Sequence, residues 1–199
     1  MSEKRRGPHE GGRALFVATL LCVLACLPAS IGRASADANN VVFSRIGENA
    51  PEPWAFLKQC IEAKGYSMST YQGETTLEKH VEKVNAINRT PAKIFLEVQL
   101  SKGERTSAMV AMTDAKKKEG RFLTIDEIPG LFAEESQRLA ADIAAPFKVK
   151  VEHLPLFPLL GVTMPGAFVK IEYKEGEMED AVQRLCDGVE RYFTERMSR

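Results

Sequence analysis

The run Lys93-Ile-Phe-Leu-Glu-Val-Gln-Leu100 constrains this chain more than any other stretch. Its apolar residues come in runs instead of at every second position, so the strand it predicts is central and covered on both faces. Such a strand needs layers above and below it, and the rest of the sequence supplies helical patterns to build them. Pro51 and Pro53 open one helix through Lys64, with Trp54, Leu57, Cys60 and Ile61 on a face and Gly65 at its stop. Thr75-Thr76-Leu77-Glu78 has capping-box spacing, and Leu77, Val81, Val84 and Ile87 follow at helical period. Leu131 to Ala145 reads as a third helix. Glu177 to Arg196 reads as a fourth, with Met178, Val182, Leu185, Val189 and Phe193 in its stripe.

Between the helices lie strand signals. Val41-Val42-Phe43, Tyr66 to Tyr71 and Ser107 to Thr113 are short candidates, and Arg121 to Ile125 suits a further return strand. Phe147, Val149 and Val151 alternate with charged residues and predict a strand with one exposed face. In Gly166 to Tyr173, after the Pro165-Gly166 corner, Val169, Ile171 and Tyr173 alternate with Phe168, Lys170 and Glu172. Strands alternating with helices predict one domain, a three-layer α/β/α sandwich on a mostly parallel sheet. In such folds ligands sit at the carboxyl ends of strands, where Lys170 and Glu172 share one face.

The first 36 residues stand apart. Lys4, Arg5, Arg6 and Arg13 precede an apolar run from Ala14 to Leu27, and Ala34-Ser35-Ala36 has the form of a cleavage site. This predicts a secretory signal peptide over residues 1–36, cleaved before Asp37, with residues 37–199 as the mature domain. The apolar run is too short for a comfortable bilayer span, so no transmembrane helix is expected after its removal. Export to the periplasm is the expected destination. Val23-Leu24-Ala25-Cys26 leaves a lipid anchor on Cys26 as the lesser alternative. The mature part keeps 22 basic and 25 acidic residues, a net charge near −3 that gives no electrostatic reason to expect nucleic acid. Its two cysteines, Cys60 and Cys186, both fall on apolar helix faces, and whether they are bridged stays open at this point. Lys116-Lys117-Lys118 reads as a wet loop tip.

No dinucleotide, P-loop, nucleophile-elbow or Cys-x-x-Cys motif is present. His80 and His153, the mature histidines, have no ligand-spaced neighbours; the first reads as a satisfied helix histidine and the second as a surface residue.

Five segments in order resemble the type 3 zinc-dependent N-acetylmuramoyl-L-alanine amidases, enzymes that cleave the bond between muramic acid and the stem peptide of peptidoglycan. They are AKGY at a helix end, TTLEKHVEKVNAIN, KIFLEVQLS, ESQRLAADI and LPLFPLLGVTMPGAFVKIEY. The resemblance runs from about Leu57 to the end and implies the same three-layer sandwich. It also implies a metal site from which this chain departs. Where the family has a zinc-binding histidine on its LFISIHAN strand, this sequence has Gln99; where it has the general-base glutamate, this sequence has Lys170, with Glu172 nearby. The family's first zinc histidine follows strand one, where this chain has Ser44-Arg-Ile-Gly-Glu48-Asn49.

Glutamine is a poor zinc ligand, and a cationic lysine cannot take a proton from water. The resemblance therefore implies zinc in the family but no metal ligands here, and no catalytic residue is assigned. Lys170 is expected to occupy the former metal pocket, paired with Glu97, Glu172 or Glu48; the alternative is that it reaches solvent at a strand end. Gln99, Glu97, Lys170, Glu172 and Glu48 are the cleft candidates. The expected role is a non-catalytic envelope protein that binds peptidoglycan or a cell-wall hydrolase. Two alternatives remain: an active amidase with a non-standard metal site built from His80, His153 and Glu172, and a structural periplasmic protein.

Overall fold

A computed structural model of the protein describes residues 40–47, 50–114 and 122–197. Residues 1–36, with the expected cleavage site and Cys26, the Lys116–Lys118 run and Glu48 lie outside the described residues. The described residues all fall within one compact unit. Its strands are β1 (Asn40–Ile46), β2 (Ser67–Gln72), β3 (Ala92–Lys102), β4 (Ser107–Thr113), β5 (Val151–Leu154) and β6 (Gly166–Tyr173). Its helices are α1 (Pro51–Ala63), α2 (Leu77–Ile87), α3 (Ala133–Phe147) and α4 (Met178–Met197). The sheet order is β2-β1-β3-β6-β4-β5. All neighbours run parallel except β4 and β6, which pair antiparallel. This is the three-layer sandwich that the alternating pattern predicts.

The two faces of the sheet are unequal. Val41, Phe43, Leu96, Val98, Val169 and Ile171 point to one face, where α1, α3 and α4 cover them in a single large apolar cluster. The other face is covered by α2 and the segment around residues 156–164. There Val42 and Phe95 meet Val84, Ile87, Leu159, Val162 and Met164 in a much smaller cluster.

Three expectations are corrected. Leu77 and Val81 are exposed (54% and 36%), while His80 and Lys83 are buried in their place. The helix therefore presents the stripe His80, Lys83, Val84 and Ile87 to the sheet. Phe147 and Val149 are not in a strand: Phe147 ends α3, Lys148 turns the chain at φ 57°, and β5 starts only at Val151. Residues 122–125 form no strand, and a 3-10 turn over Ile128–Phe132 precedes α3.

Candidate functional site

From β1 the chain passes through α1 to β2 at the sheet edge, then crosses back through α2 to β3 on the far side of β1. The direction of winding reverses between β1 and β3, and the crevice outside the carboxyl ends at such a point is where open α/β sheets bind ligands. Register fixes what lies there. Ile46 pairs with Gln99, and Gln99 with Lys170. One step deeper, Ser44 pairs with Glu97; one step outward, Ser101 pairs with Glu172. Because side chains alternate along a strand, all of these project to the α2 face. That face grades from apolar at Val42 and Phe95, through a buried charged layer, to an open polar rim.

Lys170 and Glu172 form an ion pair at 2.9 Å, each side chain 37% exposed. Hydrogen bonding and charge from Lys170 hold the Glu172 carboxyl below its usual range, and the Ser107 hydroxyl donates to it at 3.4 Å. Gln99 is half-buried beside Lys170, beneath Gly47. Gly47 has φ 83°, and a Cβ there would meet the Gln99 amide nitrogen at 3.5 Å, so the turn after β1 closes over this side chain. Around the same carboxyl ends, between the first turns of α1 and α4, lies a groove of about 530 Å³. It is lined by Glu52, Ser101, Lys102, Tyr173, Glu175 and Glu179. This groove has no signature in the sequence, because its residues come from three separate stretches of the chain.

Glu97 does not partner Lys170. It is fully buried, and Lys83 of α2 reaches it at 3.7 Å while donating to the Ser44 hydroxyl at 3.1 Å. Burial raises the Glu97 pKa, and the Lys83 charge and the Ser44 hydroxyl oppose that rise. Gly73 passes directly above: its N–H donates to the Arg45 carbonyl at 2.6 Å, and a Cβ there would lie 2.6 Å from that oxygen and 3.0 Å from Glu97 Oε1. Lys83 and Ser44 were missed. A glutamate inside an apolar central strand demands a buried cation, and Lys83 stands at helical spacing on the crossover helix just before it.

His80 is buried, its Nε2 3.0 Å from the Leu160 carbonyl and its ring packed at a tilt against Phe157. His153 sits exposed on β5, the sheet's edge strand, 3.2 Å from Asp114. With β6 and β4 between β3 and β5, the two histidines and Glu172 are not assembled into one centre. Among the described residues, no group of three or more His, Cys, Asp or Glu side chains is placed to hold a metal ion. The groups at the crevice fit zinc poorly on their own chemistry: an amide, and a carboxylate already engaged by an ammonium.

Fold and crevice define an open α/β sandwich with a polar edge at its winding reversal. Solved structures with a similar chain path include the N-acetylmuramoyl-L-alanine amidase AmiC2 of Nostoc punctiforme, at 11% identity and TM-score 0.46, over 81% of this chain and 98% of that one. The N-acetylmuramyl-L-alanine amidase Ami1 of Mycobacterium smegmatis is similar at 10% identity and TM-score 0.48, over 81% and 98%. So is the catalytic domain of the CD27L endolysin targeting Clostridia difficile, at 10% identity and TM-score 0.49, over 78% and 97%. No protein-family model matches the chain, and no curated protein matches it.

Proposed function

We propose that the protein is an exported, non-catalytic relative of the peptidoglycan amidases that binds cell-wall peptide at the carboxyl edge of its sheet. The observation that carries this reading is the Lys170–Glu172 pair. At the position where the sequence resemblance puts a general base, the chain holds an ammonium locked to a carboxylate at 2.9 Å beside an amide, Gln99. An ammonium has no lone pair with which to take a proton from water, so the edge offers recognition and not hydrolysis. It offers donors and acceptors of both signs, and across the same sheet edge, on the α1/α4 side, lies the groove of about 530 Å³; the edge as a whole suits a short peptide bearing amines and carboxylates. The stem peptide of peptidoglycan has that chemistry. Residues 1–36 act as the export signal in this reading.

The test is co-sedimentation of the purified protein with isolated peptidoglycan, together with its zinc content and any release of stem peptide. Pelleting with the wall, weakened in Lys170→Glu, is the expected result. One equivalent of bound zinc, or peptide release abolished by a chelator, overturns the non-catalytic reading. Failure to pellet overturns wall binding and leaves a protein partner such as a cell-wall hydrolase.

A further inference from the structure

Two helices of the larger layer, α1 and α4, lie side by side with a repeating register. Lys64, at the C-cap of α1, reaches Asp187 at 3.1 Å and Glu190 at 2.5 Å on α4. One turn earlier, the Cys60 thiol donates to Gln183 Oε1 at 3.4 Å, a separation of 123 residues that Lys64 and Asp187 repeat. The separation of 126 between Lys64 and Glu190 is repeated by Cys60 and Cys186. Each α1 residue is thus bracketed by two α4 residues three apart, which share one helix face. The bracket around Cys60 is closed by a second cysteine. Cys186 is fully buried in the main cluster, and Cys60 packs against that cluster half-buried. Both thiols are free, and Cys60 is close enough to Cys186 to help raise its pKa.

We propose that Cys60 and Cys186 are a disulfide site that ties α1 to α4. The oxidant is a disulfide-bearing thiol compound, and the exchange balances in two steps. Cys60, the more accessible sulfur, attacks as thiolate on one sulfur of the oxidant and forms a mixed disulfide, expelling one thiolate that takes up a proton. Cys186 then gives up its proton and attacks Cys60 Sγ, expelling the second thiolate. Two protein thiols and one external disulfide become one protein disulfide and two external thiols. Burial and the neighbouring Cys60 hold the Cys186 thiol well above the ordinary thiol range, which suits it to the second step only. The bond would close a loop on the order of a hundred residues, and loops of that size lose most entropy in the unfolded chain.

The full chain is incubated natively with oxidised glutathione, its remaining thiols are alkylated, and it is digested and mapped by mass spectrometry without reduction. The expected product is a peptide pair linked through Cys60 and Cys186, lost in Cys60→Ser and split by a reductant. The oxidised chain is expected to melt about 5–10 °C above the same chain held in dithiothreitol, a shift absent in Cys60→Ser. Recovery of both cysteines alkylated, or of Cys60 only as a glutathione adduct, from a chain whose circular dichroism stays native overturns the proposal.

Discussion

Lys83 and Glu97 show how one residue's placement decides another's. Glu97 interrupts the most apolar strand of the chain, where a bare carboxylate would cost several kcal/mol, and Lys83 answers it from the facing helix. Lys83→Met is expected to destabilise the protein by about 3–5 kcal/mol in urea unfolding, because it leaves the Glu97 charge buried and unmatched. Lys83→Met with Glu97→Met should recover most of that loss; additive losses would show that the two side chains do not act as a pair. His80, on the same helix, makes a pH-dependent contribution. Burial depresses its pKa below the ordinary 6.5, the bond to the Leu160 carbonyl opposes this, and Lys83 adds to it. A depressed histidine stays neutral when folded but takes a proton when unfolded, so its stabilisation is present above about pH 6.5 and is lost as pH falls. Glu97, raised by burial, works in the opposite direction: its share is lost as pH rises from about 4.5 upward. The stability advantage of wild type over His80→Gln should therefore shrink between about pH 7.5 and pH 5.5 in thermal melts. A constant gap would mean that His80 does not titrate on unfolding. That Lys170 and Glu172 share one face is legible in the sequence, because strand alternation fixes a face; Gln99 is set opposite them only by the family resemblance, and the β3–β6 register pairs it with Lys170. The Glu97 partner is not, because a central strand's own pattern does not say which helix residue lies over it.

At the scale of elements, periodicity gave the four α-helices and signals for the six strands, with one strand too many at Arg121 to Ile125, but not always their orientation or ends. In α2, Leu77, Val81 and Val84 satisfy the helical period as well as His80, Val84 and Ile87 do. Tertiary packing chose the second set, since Lys83 has to reach Ser44 and Glu97. The alternation Phe147, Val149, Val151 is a good strand signal that α3 overrides in its last turn, ending through Lys148 in the left-handed region. The antiparallel setting of β4 against β6 has no signature in either strand alone. Gly188, in the middle of α4, looks like a weak point of a long helix, yet it is where α4 touches α3. A Cβ there would lie 2.6 Å from Ile143 Cα and 3.1 Å from the Asp142 carbonyl, atoms of backbone that cannot rotate away. Gly188→Ala would gain about 1 kcal/mol of helix propensity elsewhere, but here it is expected to destabilise by about 1–3 kcal/mol. A stabilised Gly188→Ala variant in chemical denaturation would show that the two helices separate freely.

At the scale of the whole molecule, the sheet divides the structure into a strongly packed side and a weakly packed one; Gln99 and the Lys170–Glu172 pair lie on the weak side, and the groove opens on the strong one. Three helices and most of the large buried side chains hold the α1/α3/α4 face. On the opposite face α2 rests on Val84 and Ile87, with two of its four inward positions given to His80 and Lys83. Apolar burial contributes about 25 cal/mol per Å², so a helix that spends half its contact stripe on polar groups is held less firmly than its neighbours. Regions with few buried apolar contacts open at lower free energy than the global transition, and binding edges are drawn from that end of the range. Native-state hydrogen exchange is the direct test. The amides of α2 are expected to exchange through a local opening whose free energy lies clearly below that of β3, β6 and α4, and cell-wall peptide bound at the edge should raise their protection. If α2 amides exchange only with global unfolding, the two faces are a single cooperative unit, and the edge that carries Gln99 and Lys170 is as rigid as the core beneath it.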